Sequence, residues 1–355
     1  MPSSSKTISH IPAGFSRFLP GTTPPLPDEL LSSWLVRLAH RHYLKVHSFC
    51  SVLWPRKEIW TRDIDRSFTS EMLTDLSILT GTSYANVFAL TLQSFEGILF
   101  HGLSEKAHNH PWILALERYH RIYKKNGLMY CPSCLKKDGD TPYFRKRWRL
   151  ALSIVCPTCG SYLHDCCPQC KQPVIFYRNE LGRKNMQPTY KLSQCHNCQY
   201  DLSNTPAVVA SREIVDMQVS LYEILELGWD NRIIYPFQYF DVMRSLTHFL
   251  SSKAEPCIPA RIRLCEILSI EYLQLPGGYP NRFETLSIPE REHLLRLTFW
   301  LLNDWPIHFK DFFKQQKVRS FWLLHDYKEP PFWYFSHIYE NFYVTNINRT
   351  FTMNQ

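Results

Sequence analysis

The chain has 355 residues, 45% of them hydrophobic and 20% charged, which suffices for two or three packed cores and excludes both intrinsic disorder and collagen-like repeats. Forty Lys and Arg against 32 Asp and Glu leave a formal charge of +8 at pH 7. Between Lys106 and Leu150 eleven basic residues meet three acidic ones, so this one segment carries the whole surplus.

No apolar stretch reaches the roughly 18 residues that a membrane span requires, and the run Leu294 to Leu302 is broken by Arg296 and Thr298. Met1 to His10 is polar and lacks the apolar core of a signal peptide, so the expectation is a soluble, cytoplasmic protein with no membrane contact. Residues 1–25 are rich in Ser and Pro, end in the run Pro24, Pro25, Leu26, Pro27, and read as a flexible tether.

A helical domain is expected over 26–128. Asp28 reads as a helix cap, with Leu30, Leu31, Trp34, Leu35 and Leu38 on one face and Arg37, His40 and Arg41 on others. A second unit starts near Ser70 with Met72, Leu73, Leu76 and Leu79, turns at Gly81, and restarts at Ser83 with Val87, Phe88, Leu90 and Leu92. That order is helix-turn-helix-like. Reading DNA with it is not expected, because Ser67 to Glu105 contains no Lys or Arg to anchor phosphates, while Glu71, Asp75, Glu96 and Glu105 are acidic. Packing or protein docking fits better, and its exposed polar positions include Tyr84 and Asn86.

Nine of the twelve cysteines fall between Cys131 and Cys198, which in a cytoplasmic chain favours metal over disulfides. The pairs Cys131/Cys134 and Cys156/Cys159 form one set of CxxC motifs, and Cys167/Cys170 and Cys195/Cys198 form another. Two CxxC turns bring four thiolates to one point, so 129–205 reads as tandem zinc ribbons holding two structural Zn ions. Cys166, His164 and His196 are alternative ligands at this stage.

Four protein ligands leave Zn no position for a reactive water. No His is followed two places later by Glu, as zinc nucleobase deaminases need, and no Gly is followed by Lys, as a phosphate-binding P-loop needs. No catalytic residue is assigned, and an enzyme is not expected. The loop from Pro142 to Arg149 mixes Tyr143, Phe144 and Trp148 with four cations. Lys136, Lys137, Arg145, Lys146, Arg147 and Arg149 are therefore candidate contacts to nucleic acid or to an acidic partner, with a solvated basic face and ribbon packing as the plain alternative.

From 206 to 355 the pattern is helical, with segments around Val208 to Leu227, Phe237 to Ser252, Arg261 to Leu275 and Pro289 to Leu302. Ser287, Pro289 and Glu290 mark a helix start. The end is crowded with rings from Phe299 to Tyr343, most of them expected in the core. The fold class is thus mainly α with small zinc-ribbon β elements: an N-terminal helix-turn-helix-like domain, tandem ribbons and a C-terminal helical domain.

Several of these motifs occur together in one known family. Leu26 to Arg37, Leu79-Thr80-Gly81 through Leu90-Thr91-Leu92, Tyr130-Cys131-Pro132-Ser133-Cys134-Leu135, Pro142 to Arg145, Trp148-Arg149-Leu150, Val155-Cys156-Pro157 and Cys167-Pro168-Gln169-Cys170 resemble, in order, the TniQ family of transposition proteins. The resemblance covers roughly 25–200, with a fainter echo in Leu301 to Pro306. Cys159 departs from the family's usual His, a change of ligand type only. The resemblance implies a non-catalytic target-selection subunit that joins a target-bound complex, often an RNA-guided Cascade-type CRISPR effector with its guide RNA on target DNA, to the AAA+ regulator TnsC. It leaves a homodimer open. A TnsD-like selector that reads a fixed DNA site is the alternative within the family, and a zinc-containing nuclease or transposase the alternative outside it.

Overall fold

The computed structural model describes residues 18–103, 110–116, 126–181, 190–229, 235–276 and 283–342. Residues 1–17 of the expected tether, the basic residues Lys106, Arg118, Arg121, Lys124 and Lys125, and Tyr343 lie outside the described residues. Among the described residues the fold is mainly helical, with thirteen α-helices and one two-stranded sheet.

The chain divides into two compact units: the first runs to Gln218 apart from Gly97–Phe100, which groups with the second unit from Val219 onward. The first unit opens with α1 (Leu31–Arg41) and α2 (Val46–Leu53), followed by the short α3 (Ile64–Ser67). Leu31, Trp34, Leu35 and Leu38 of α1 are buried as their spacing predicts. Asp28 does not cap this helix. It sits at φ +55 with Leu30 in the N-cap position, and its carboxylate instead accepts from the Arg147 N–H at 3.3 Å. Its carbonyl accepts from Lys146 N at 2.6 Å, so Asp28 ties the chain entry to the basic loop. Residues 18–25 lie against this unit, with Leu19 N donating to Leu79 O and the Trp34 indole to Thr23 O, each at 2.8 Å.

The helix-turn-helix-like pair is α4 (Ser70–Thr80) and α5 (Tyr84–Ala89). Thr69 and Ser83 each accept an N-terminal amide, from Met72 and Asn86, and Gly81 ends α4 at φ +68, where a Cβ would strain the backbone. Then come α6 (Pro132–Lys137) and the hairpin of β1 (Val155–Cys156) and β2 (Ser161–Tyr162), paired antiparallel with Cys156 opposite Ser161. The segment 208–210 extends this hairpin: Tyr162 N donates to Val208 O and Ala210 N to Gly160 O. Gln218 closes the unit from within α7 (Arg212–Leu227), its fully buried side chain accepting from Ile154 N at 2.7 Å.

The second unit holds the rest of α7 and α8 (Pro236–Ser251), α9 (Cys257–Leu268), α10 (Ile288–Asn303), α11 (Ile307–Gln315), α12 (Ser320–Leu324) and α13 (Phe332–Asn341). Its core is α10 on α8, through Leu294, Leu297 and Leu301 and through Tyr239, Val242 and Leu246, all at most 1% exposed. Glu290 Oε2 accepts from both the backbone N and the Oγ of Ser287 at 2.7 Å, which fixes the start of α10 where the sequence placed it. Phe309, Phe313 and Tyr334 are buried as expected of the aromatic end, whereas Phe321, Phe332 and Tyr339 are exposed.

Candidate metal centres

Three of the four CxxC motifs fold as the same tight turn. The residue after the second cysteine, Gly160, Lys171 or Gln199, has φ near +60 and donates its amide to the carbonyl of the first cysteine at 2.8, 2.9 and 3.0 Å. This turn aims both thiols to one side. The fourth motif works differently: Cys131 is the N-cap of α6 and Pro132 its first residue, so one helical turn brings Cys134 alongside.

These turns assemble two sets, Cys131, Cys134, Cys156 and Cys159, and Cys167, Cys170, Cys195 and Cys198, the sulfurs of each set lying within 4.8 Å of one another. Cys134 Sγ is 3.5 Å from both Cys156 Sγ and Cys159 Sγ, and the Cys167–Cys198 and Cys170–Cys195 pairs are 3.6 Å apart. Zn–S bonds of about 2.3 Å in a tetrahedron put sulfurs about 3.8 Å apart, whereas a disulfide needs about 2.05 Å. The geometry therefore fits metal. Each set has two buried and two half-exposed cysteines, and the pairing is sequential, so both sets are positioned to bind a zinc ion.

Hydrogen bonds from Cys134 and Cys156 hold the Cys131 thiol well below its usual range, and the reciprocal contacts push Cys134 and Cys156 up. A divalent cation replaces the thiol protons and lets all four ionise. Cys131 Sγ also lies 3.7 Å from Ser161 Oγ, and Lys137 Nζ lies 3.7 Å from Cys159 Sγ, a cation beside a thiolate site. Cys166, His164 and His196 belong to neither set. Burial lowers His196 to about 4, which keeps it neutral, and the His164 carbonyl and amide pair with Tyr130.

The candidate contact residues divide sharply. Arg149 is fully buried. Its guanidinium donates to Asp63 Oδ2 at 2.6 Å, Asp65 Oδ2 at 3.2 Å and Leu114 O at 3.0 Å, while Asp65 also accepts from the backbone and hydroxyl of Ser32. Arg149 is thus an internal tie between α1, α3 and the basic loop, and nucleic acid does not reach it; periodicity gave no hint of this, because the acidic partners lie more than 80 residues away. Burial and the neighbouring Asp63 carboxylate raise Asp65 to about 6 against the pull of Arg149.

Arg145 makes a two-pronged ion pair with Asp138 and lies over the rings of Tyr143 and Trp148 at 3.7 and 4.8 Å. Lys146 donates to Ser94 Oγ at 2.7 Å and sits over Phe95, and burial lowers it to about 8. Phe144 and Trp148 are buried, so two of the three rings interleaved with these charges pack the ribbon. Lys136 and Lys137 are exposed, and Arg147 is about a third exposed with Asp28 at 3.9 Å.

No membrane-crossing helix occurs among the described residues. No curated protein matches the chain. Residues 20–162 match the family model described as TniQ, a stretch that contains α1 and the first four-cysteine set and stops before the second.

Proposed function

We propose that this chain is a non-catalytic target-selection adaptor in DNA transposition, linking an RNA-guided Cascade-type effector on target DNA to the AAA+ regulator TnsC, which then recruits the transposase. The carrying observation is the TniQ match over 20–162. The chemistry agrees, since both four-cysteine sets give zinc a closed shell suited to structure rather than to activating water. The eight cysteines Cys131, Cys134, Cys156, Cys159, Cys167, Cys170, Cys195 and Cys198 would hold these ions. Of the candidate contacts, Lys136 and Lys137 at the end of α6 are the exposed cations that a partner would meet, with the partly exposed Arg147 already beside Asp28.

Reconstitution decides it. Tagged chain should capture TnsC and, separately, a guide-loaded effector, and should be needed for TnsC to reach effector-bound DNA. A chain that ignores both partners overturns the reading. A defined footprint on naked DNA would instead mark a direct DNA selector, and metal-dependent cutting an enzyme.

A further inference from the structure

A cavity of about 340 Å³ opens in the first unit between the C-terminal turn of α1 and the loops around residues 140–142 and 190–192. Arg37, His40, Arg41, Asp140, Tyr190 and Lys191 are among its walls. Four of these six carry nitrogen donors. Two are committed beneath the floor: Arg37 donates to the buried Glu29 carboxylate and to Thr23 Oγ1, and His40 Nε2 meets Glu180 Oε1 at 3.1 Å while its ring edge rests on Tyr190. The other two are available. Arg41 is exposed and makes no ion pair among the described residues, its stem packed along Gly21. Lys191 pairs at 3.0 Å with Asp140, whose side chain is 98% exposed, and such a surface pair is worth little against a better anion.

From this arrangement we infer that the cavity is a nucleic-acid backbone site in which Arg41 and Lys191 hold one phosphodiester from opposite walls. The volume lies at the small end of ligand sites, about 300–1,000 Å³, which admits a phosphate with its sugar. Lys191 Nζ also reaches Gly139 O at 3.4 Å, two residues beyond Lys137, so the positive surface continues toward Lys136 and Lys137 at the end of α6. A strand anchored in the cavity passes the first zinc set on that path. Contacts of this kind position a backbone without reading bases. The inference stands apart from the bridging role proposed above, because it concerns affinity for nucleic acid alone.

Fluorescence anisotropy on the zinc-loaded full chain tests it, using labelled 20-mers of single-stranded RNA, single-stranded DNA and duplex DNA at several salt concentrations. R41A and K191A should each weaken binding several-fold and together at least tenfold, the double variant reducing the salt slope by about one. K253A, in the second unit, is the charge-matched control and should change nothing. D140N frees Lys191 and removes a negative charge, so it should tighten binding, an outcome that misfolding cannot imitate. The preferred probe identifies the source as guide RNA or target DNA. Unchanged affinity of the double variant for all three probes, an equal loss in K253A, or no tightening by D140N overturns the site. So does a double variant that binds all probes normally but fails to capture TnsC, which would assign the cavity to a protein carboxylate.

Discussion

Arg149 shows how far a single side chain can differ from the job its neighbours in sequence suggest. It neutralises Asp63 and Asp65 inside the protein, so its removal strands two carboxylates rather than thinning a surface charge. R149A should cost about 3–5 kcal/mol in chemical denaturation, the usual penalty for breaking a buried pair from one side. R149K should be intermediate, since it keeps the charge but loses the fork that reaches Asp63, Asp65 and Leu114 together. Stability of R149A equal to wild type would show that the carboxylates are solvated instead.

His293 makes a matching prediction in the second unit. Burial, helped by Arg261 and Arg296, lowers it to about 4, and its Nε2 lies 3.7 Å from Cys265 Sγ. The unfolded chain therefore takes up this proton near pH 6.5 and the folded chain only near pH 4. Its effect on stability is absent above pH 6.5 and grows as pH falls toward 4, reaching at most about 3 kcal/mol of destabilisation. H293Q should flatten the pH dependence of the unfolding midpoint between pH 6.5 and 4; an unchanged slope would remove His293 as its source.

At the scale of elements, the zinc turns carry a small built-in strain. Lys171 holds φ +58, a conformation that costs a side-chain-bearing residue roughly 1 kcal/mol, whereas Gly160 occupies the equivalent place without that cost. K171G should raise stability by about 0.5–1 kcal/mol while leaving the zinc content at two per chain, read by thermal unfolding and elemental analysis. A destabilised K171G would mean that the lysine side chain contributes more than the turn costs.

Elements like these were legible where local chemistry decides them. The CxxC pairs, the Thr69 to Ser83 turn and the Ser287 start are all settled within a few residues, and they fold as the spacing predicts. Long-range ties were not legible. Asp28 looks like a cap until Lys146 and Arg147 arrive from far along the chain, and the short α3 is held by Arg149 rather than by any periodicity of its own. The same blindness applied to the basic loop: charge counts saw the cations of 145–149 but not the carboxylates and rings that occupy Arg145 and Arg149. The cavity beside Arg41 was invisible for the converse reason, since its walls come from four separated stretches of sequence.

For the whole molecule, the distribution of metal ligands predicts how the two units respond to chelation. All eight zinc-set cysteines lie in the first unit, while the second is built on helix-on-helix packing of α8 and α10. Structural zinc binding is part of the folding free energy of the segment it closes, so stripping it should act locally first. Hydrogen exchange after treatment with a strong chelator should show protection lost around α6, the β1–β2 hairpin and the loop of Arg149, with α8 and α10 keeping theirs. Re-adding zinc under reducing conditions should restore the pattern, because the eight thiols are then still free to ligate it. Equal loss across both units would mean that the zinc sets support the entire chain, and no loss anywhere would remove zinc from the account of its stability.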